Sequence, residues 1–151
     1  MLSISLGLDP SGLLFEPARP GHCISAGDAQ FVEIIHTAIS GGISMSHATG
    51  DTDYYPNGGS IHPGCPNDES LTCYHNRAFE FYAEAINSAN SFISRKCYNY
   101  ENFTKGFCDD NETVSFPGAQ KIIKPRGTYY LQTDSKRPFG LGEKGSKSSN
   151  Y

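Results

Sequence analysis

Residues 2–12, with the sequence LSISLGLDPSG, decide the fold prediction. Apolar side chains alternate with serine and glycine from 2 to 8, and this period of two predicts a β-strand. The segment Asp-Pro-Ser-Gly at 9–12 predicts a turn that ends the strand. Ligands and catalytic groups of open α/β sheets gather at the carboxyl ends of strands. Asp9 is therefore a candidate functional residue.

Further strands and one helix are predicted outward from this stretch. FVEIIH at 31–36 is rich in β-branched residues and predicts a second strand. Residues 53–55 predict a short extended piece closed by the turn at 56–59, and GTYYLQT at 127–133 predicts a late strand. An apolar stripe at helical spacing predicts a helix over about 75–94; its members are Ala78, Tyr82, Ala85, Ile86, Ala89, Phe92 and Ile93.

The remaining segments predict loops and a tail. Proline and glycine favour loops over 16–27 and 41–50, and Asp28 is placed to cap one helical turn at 29–31. Composition predicts a flexible tail over 140–151. Strands that alternate with a helix indicate an α/β fold, although an incomplete one.

Composition excludes several classes of protein. A chain of 151 residues is the size of one domain. It has no apolar run near the roughly 20 residues that a membrane-spanning helix needs. The net charge of −4 and the pI of about 5.7 argue against nucleic acid as a partner, because no basic stripe is present to displace counterions.

The cysteines and two sequons favour an oxidising, secreted context. The chain has five cysteines and none in a C-x-x-C motif, which argues against a zinc ribbon or a thioredoxin-like site. Their spacing suggests the disulfides Cys65–Cys73 and Cys97–Cys108, with Cys23 left over. Asn102 and Asn111 each begin an N-x-T glycosylation acceptor.

Catalytic chemistry has to be inferred from placement, because the sequence lacks G-x-S-x-G, a P-loop and H-E-x-x-H. Asp9 follows a strand, and His75 stands at the start of the predicted helix. Aspartate followed by histidine is the chain order of α/β-hydrolases after their nucleophile. On this pattern alone the alternative is more common: Asp9 caps a turn and His75 is a surface residue.

A series of segments resembles the pancreatic-type lipase family, especially its insect and phospholipase A1-like members. The segments occur in the family's order; they are GLDPSG at 7–12, DAQFVEIIHT at 28–37, DYYPNGG at 53–59, PGC at 63–65 and CYHNRA at 73–78. The endings YYLQT at 129–133 and PFG at 138–140 also resemble those of the insect members. The resemblance covers about residues 6–133.

This resemblance implies an α/β-hydrolase fold that is incomplete, with the C-terminal portion of the central sheet plus a long amphipathic helix. Residues 1–139 would form the C-terminal part of a lipase domain, and 140–151 its tail. Asp9 would be the acidic member and His75 the basic member of a Ser–His–Asp triad. The family's nucleophile lies upstream in a G-H-S-L-G elbow, so we expect the chain as given to be inactive.

Other positions are interpreted through the same resemblance. Cys65–Cys73 stands at the base of the family's lid and closes only a short loop, as in phospholipase A1-type members. Only Asp28 matches the acidic residues that hold a structural calcium in pancreatic-type enzymes, so we expect no cofactor and no metal. His36 is interpreted as a hydrogen-bonded structural histidine. His22, His47 and His62 are interpreted as loop residues without metal-ligand spacing.

Three functions remain open at this stage. The first is a secreted esterase that acts on phospholipids or triacylglycerols at a lipid interface, with no nucleic-acid partner and no transmembrane segment. The second is a non-catalytic lipase-like protein, either lipid-binding or a yolk-type storage protein. The third is a small disulfide-bonded extracellular domain without enzymatic ancestry. The first hypothesis makes a geometric prediction, namely that an Asp9 carboxylate oxygen lies within about 3.2 Å of a His75 ring nitrogen.

Overall fold

A computed structural model describes residues 3–15, 21–66, 71–88, 90–117 and 124–148. Over these residues the strands form a six-stranded sheet in the order β1-β2-β3-β6-β4-β5. The strands are β1 (Ser5–Leu8), β2 (Val32–Ile35), β3 (Thr52–Pro56), β4 (Ile93–Lys96), β5 (Thr113–Ser115) and β6 (Gly127–Leu131). The α-helices are α1 (Leu71–Ala85) and α2 (Tyr100–Thr104), and short 3-10 helices cover Ile39–Gly41, Asn57–Gly59 and Glu143–Ser146.

The sheet is mixed, and its parallel half positions the candidate site. β1, β2, β3 and β6 are parallel neighbours, whereas β4 runs antiparallel to both β6 and β5. Parallel strands end at the same edge of a sheet, so the residues that follow β1, β2, β3 and β6 meet there. Asp9, His36, Asn57 and Gln132 are the first residues after these four strands.

The two faces of the sheet carry different cores because side chains alternate along each strand. Tyr54 and Tyr129 pack with Phe81 of α1 on one face. Tyr55 and Tyr130 pack on the other face, with the Cys97–Cys108 disulfide and α2. Phe81 contacts the rings of Phe92 and Phe139 at centroid distances of 5.6 and 5.3 Å. Burying an aromatic side chain of this size contributes about 1.5–3 kcal/mol, so this cluster holds α1 against the sheet.

The α/β prediction is confirmed, and the predicted strands correspond to β1, β2, β3 and β6 within a few residues. Leu2, part of the first predicted strand, lies outside the described residues, as does 16–20 of the first predicted loop. The chain at 28–30 bends without forming the predicted helical turn. Asp28 instead accepts a hydrogen bond from the backbone N–H of Ser25, at 2.8 Å.

The helix predicted over 75–94 was wrong in its bounds. α1 begins at Leu71 and ends at Ala85, and Ile93 belongs to β4. Asn87, Ser88 and Ser91 favour turns over helix, and Asn90 adopts a left-handed backbone with φ of 66°. Ala89, another member of the stripe, lies outside the described residues. The apolar stripe therefore extends beyond the end of α1, and the polar, turn-favouring residues after Ala85 account for that end.

The predicted division between residues 139 and 140 stays a prediction. Within the predicted tail, Glu143–Ser146 form a short 3-10 helix, and the buried Ser146 carbonyl accepts a hydrogen bond from Arg95 Nε at 2.7 Å. Residues 149–151 lie outside the described part of the chain. In the described ranges, no helix is both long and apolar enough to cross a bilayer.

Candidate active site

Asp9 stands immediately after β1 in a left-handed backbone conformation with φ of 52°. Aspartate tolerates this region better than most non-glycine residues. The Asp9 N–H donates to the carbonyl of Ile35 at 2.7 Å, so the residue stays tied to the end of β2. Its side chain is fully buried, and the turn therefore directs a carboxylate into the interior of the molecule.

The Asp9 carboxylate accepts hydrogen bonds from four groups. The backbone N–H groups of Thr37 and Ala38 reach Oδ1 at 2.7 and 2.9 Å. The Ser44 hydroxyl reaches Oδ2 at 2.5 Å, and His75 Nδ1 reaches the same oxygen at 2.7 Å. A buried carboxylate is stable only when it is well hydrogen-bonded, and this set of donors supports an ionised, immobile side chain.

His75 lies in the second turn of α1, two residues after a disulfide-bonded cysteine. Its side chain is 56% exposed. The Asp9 carboxylate accepts a hydrogen bond from Nδ1, so the ring carries a proton on that nitrogen. When the ring is neutral, Nε2 has a free lone pair and can accept a proton. Among the described residues, Nε2 has no hydrogen-bond partner. The predicted Asp9–His75 contact is thus present, with geometry that suits a general base.

Ser44 is the hydroxyl closest to this pair, but it does not have the geometry of a nucleophile. Its Oγ donates to the carboxylate and its side chain is buried. Ser11, at the turn after Asp9, is exposed and directs its hydroxyl to the carbonyl of Ile43. Within the described ranges, no serine hydroxyl is hydrogen-bonded to His75. The described residues thus pair a buried carboxylate with an exposed imidazole that contacts no serine hydroxyl.

A second histidine–carboxylate pair lies under the same sheet edge. His36 Nε2 is 2.8 Å from Asp53 Oδ1, and His36 Nδ1 is 2.8 Å from the carbonyl of Met45. Both ring nitrogens are therefore engaged by buried partners. The ring stacks on Tyr55 at a centroid distance of 4.3 Å. The interpretation of His36 as a hydrogen-bonded structural histidine is confirmed.

His62 differs from the other two histidines interpreted as loop residues. His22 and His47 are exposed, whereas His62 is almost fully buried. Burial lowers the pKa of His62 to about 4, and its hydrogen bond to the Thr37 carbonyl opposes this only in part. Its ring is therefore neutral at pH 7. No residue pattern indicated this burial, since the turn residues before His62 favour an exposed loop.

Both predicted disulfides are present. Cys65–Cys73 joins the segment after β3 to α1, and Cys97–Cys108 closes the loop that contains α2. Cys23 is a free thiol. Residues 67–70, inside the first disulfide loop, lie outside the described residues.

The described residues do not fit the structural calcium of pancreatic-type enzymes. Asp28 Oδ2 already accepts from both the N–H and the hydroxyl of Ser25. The described ranges contain no group of three His, Cys, Asp or Glu side chains that could hold a metal ion.

Comparison with known proteins gives one consistent family. The family model described as Lipase matches residues 4–139. The chain is 35% identical to Lipase member H-A of Xenopus laevis over 69% of its own length and 24% of the relative's. It is 30% identical to Pancreatic lipase-related protein 3 of Homo sapiens over 88% and 35% of the two lengths. For Lipoprotein lipase of Rattus norvegicus the identity is 29%, over 88% and 33%.

These matches confirm the resemblance to pancreatic-type lipases, and with it a partial α/β-hydrolase fold. The chain spans about a quarter to a third of the length of the relatives described. The narrower likeness to insect and phospholipase A1-like members stays a prediction.

Proposed function

Because this chain belongs to the pancreatic-type lipase family, we propose that its parent protein hydrolyses carboxylic esters of lipids and that Asp9 and His75 are two members of the catalytic triad. The observation that carries the proposal is the 2.7 Å contact between His75 Nδ1 and the buried Asp9 carboxylate. It joins residues 66 positions apart in the chain, at the sheet edge where catalytic groups of this fold class gather.

The mechanism follows from the two ring nitrogens of His75. Asp9 accepts from Nδ1–H, which places the single proton of the neutral ring on Nδ1, leaves the lone pair on Nε2 and fixes the plane of the ring. Nε2 would remove the proton from a serine hydroxyl as that oxygen attacks the ester carbonyl. The imidazolium formed is stabilised by the Asp9 carboxylate, and its Nε2–H then protonates the departing alcohol. Water would hydrolyse the acyl-enzyme by the same exchange of protons.

Apolar surface beside Asp9 supports a lipid substrate. Leu13 and Leu14, in the turn after Asp9, are 60% and 92% exposed, and Ile43 is 45% exposed. The N–H groups of Gly12 and Leu13 donate to the carbonyl of Ile43, so these apolar side chains belong to adjoining loops. Exposed apolar side chains that adjoin one another are typical of binding sites for apolar partners.

A cavity of about 390 Å³ lies next to these loops. Its lining includes Pro10, Phe15, Ile24 and Met45, so it would accept an acyl chain. The short Cys65–Cys73 loop favours a phospholipase A1-like preference, because a small lid leaves room for a phospholipid head group.

Assays of the protein expressed from the complete reading frame test the proposal. The upstream sequence is first searched for a G-x-S-x-G elbow. Hydrolysis of a triacylglycerol and of a phosphatidylcholine with a labelled sn-1 acyl chain is then measured for the parent, His75→Ala and His47→Ala. We expect hydrolysis to fall by about 10³-fold or more in His75→Ala and to persist in His47→Ala, which removes an exposed histidine.

Three outcomes separate the alternatives. Full activity in His75→Ala would show that His75 is not the base. Hydrolysis of triacylglycerol but not of phosphatidylcholine would contradict the proposed phospholipase A1-like preference, while the proposal of an esterase would stand. An elbow without serine, together with lipid binding and no hydrolysis of either lipid, would favour the non-catalytic alternative, either a lipid-binding or a yolk-type storage protein.

We also propose that the parent protein is secreted and glycosylated at Asn102 and Asn111. The two disulfides support an oxidising compartment. Asn111 is exposed, although its side-chain N–H₂ donates to the carbonyl of Lys96 at 3.0 Å. Peptide N-glycosidase treatment of protein from the culture medium, compared with Thr104→Ala and Thr113→Ala, checks each site separately. Absence of a mass change at either site would remove that site from the proposal.

A further inference from the structure

The side-chain amide of Asn57 has an orientation that its neighbours determine. The backbone N–H of Thr133 lies 3.0 Å from Asn57 Oδ1 and can only donate, so that atom is the amide oxygen. Asn57 Nδ2 then faces the Thr133 hydroxyl at 2.8 Å and His62 Nδ1 at 2.9 Å. The donor directed at His62 is therefore fixed by the backbone that follows β6.

The orientation of Asn57 in turn determines the tautomer of His62. Because Nδ1 accepts from the Asn57 amide, the ring proton of the neutral imidazole is on Nε2. Nε2 lies 2.9 Å from the carbonyl oxygen of Thr37, to which it donates. The lowered pKa of His62 agrees with a ring that stays neutral and keeps this tautomer at pH 7.

The peptide bond between Thr37 and Ala38 connects His62 to the candidate triad. Its carbonyl accepts from His62 and its N–H donates to Asp9 Oδ1 at 2.9 Å. The carbonyl and the N–H of a planar trans peptide point in opposite directions, so His62 and Asp9 hold the same rigid plane from its two sides. A rotation of this plane that weakens one hydrogen bond weakens the other.

We propose that His62 is a positioning residue that sets the Thr37–Ala38 peptide and, through it, the Asp9 carboxylate that orients His75. The catalytic consequence rests on the proposed function, whereas the geometric one does not. The competing explanation is that His62 only fills space, since its ring packs on Phe81 at 5.5 Å and on Tyr74 at 6.0 Å.

Variants at His62 separate these two explanations. His62→Phe preserves an aromatic ring and removes the donor to Thr37, and His62→Met does so with a flexible side chain if Phe is not accommodated. His62→Gln retains both a donor and an acceptor on one side chain. His47→Phe and His47→Gln make the same changes at an exposed histidine and serve as matched controls.

The first readout is nuclear magnetic resonance of ¹⁵N-labelled imidazoles in the protein from the complete reading frame, at pH 7. We expect His62 to be in the Nε2–H tautomer and His75 to show a low-field Nδ1–H resonance. That resonance should be lost in His62→Phe or His62→Met and kept in His62→Gln and both controls. An Nδ1–H tautomer at His62, or an unchanged His75 resonance in the apolar variants, would overturn the proposal.

The second readout is the division of the effect between kcat and KM. We expect kcat for ester hydrolysis to fall about tenfold in His62→Phe, with KM within about twofold of the parent, and His62→Gln to recover most of the loss. Equal losses in Phe and Gln would support simple space filling and overturn the proposal. If no variant or parent hydrolyses esters but the resonances respond as expected, the proposed function fails and the positioning role stands.

Discussion

Two histidine–carboxylate pairs lie near one sheet edge, and they differ in what the second ring nitrogen contacts. In the Asp9–His75 pair the carboxylate is fully buried while the His75 side chain is 56% exposed. In the Asp53–His36 pair the side chains are 2% and 0% exposed. Their nitrogen–oxygen distances, 2.7 and 2.8 Å, are nearly the same. The contact itself therefore does not distinguish a catalytic pair from a structural one.

The second nitrogen makes the distinction. His36 uses both nitrogens, on the Asp53 carboxylate and the Met45 carbonyl, so neither can exchange a proton with a substrate. His75 uses Nδ1 alone among its described contacts, which leaves Nε2 for the reaction. A histidine–carboxylate pair can perform general-base catalysis only when one ring nitrogen is free to take a proton from the reacting group. The same substitution in the two pairs should consequently have different effects.

The largest effect is expected for Asp9→Asn. The asparagine oxygen can still accept from Thr37 and Ala38, and its N–H₂ can donate to Ser44 and to His75. This last hydrogen bond requires Nδ1 to be unprotonated and moves the ring proton to Nε2, the wrong nitrogen for a base. We expect kcat to fall by about 10⁴-fold. Steady-state kinetics measures this fall. The free energy of unfolding, measured with urea, should stay within about 2 kcal/mol of that of the unsubstituted protein.

The next effect is expected for Asp53→Asn and concerns folding. Asp53 accepts from His36 Nε2, and Gly50 N–H approaches its other oxygen at 3.1 Å. An asparagine N–H₂ at the Oδ1 position would meet the backbone N–H of Thr49, which donates there at 3.2 Å, and at the Oδ2 position it would meet the Gly50 N–H. We expect a loss of about 3–5 kcal/mol in the free energy of unfolding, measured with urea. A kcat loss in folded protein comparable with that of Asp9→Asn would contradict the division into a catalytic and a structural pair.

A third effect concerns the dependence of stability on pH, through His62. The folded-state pKa of His62, about 4, lies below the ordinary value of 6.5 in the unfolded chain. The unfolded state therefore binds more protons between these values, and the stabilisation is complete above pH 6.5 and lost as the pH falls toward 4. The full contribution is about 3 kcal/mol.

His62→Gln should remove this part of the pH dependence. Urea unfolding at several pH values between 4 and 7 should give a flatter stability curve for the variant than for the parent, with His47→Gln as the control. Parallel curves for the parent and His62→Gln would show that His62 does not titrate in this interval on unfolding.

The parallel strands could be predicted from the sequence because each carries its own signal. β1 alternates, and β2 is nearly all β-branched. β4 and β5 could not be predicted, since ISRK and TVS are short and their stability comes from pairing with each other and with β6. α2 also went unpredicted, although Asn99 caps it by accepting from the N–H of Asn102. The deciding interactions for β4 and β5 join segments distant in the chain.

The same limit applies to the candidate site. Asp9 and His75 were predicted through the family resemblance, because their positions relative to a strand and a helix made them candidates but by themselves favoured a turn cap and a surface residue. Ser44, Asn57 and His62 were missed, since each acts only through partners that the fold brings together. The Asn57–Thr133 contact spans 76 residues. A polar residue directly after a predicted parallel strand, as Asn57 is after β3, was the one available signal.

The smallest effect is expected for Ser44→Ala, and it tests how finely the Asp9–His75 pair is tuned. The Ser44 hydroxyl donates at 2.5 Å to Asp9 Oδ2, the oxygen that also accepts from His75. Removing it leaves three donors on the carboxylate and holds Oδ2, the oxygen that faces the imidazole, less firmly in place. A hydrogen bond to a charged group contributes about 1.5–3 kcal/mol, and the retained donors compensate for part of this. We therefore expect kcat to fall about three- to tenfold with KM unchanged, against Ser135→Ala as the exposed control. A loss as large as that of Asp9→Asn would mean that the Ser44 hydroxyl holds the carboxylate in place, and that the backbone donors of Thr37 and Ala38 cannot do so alone.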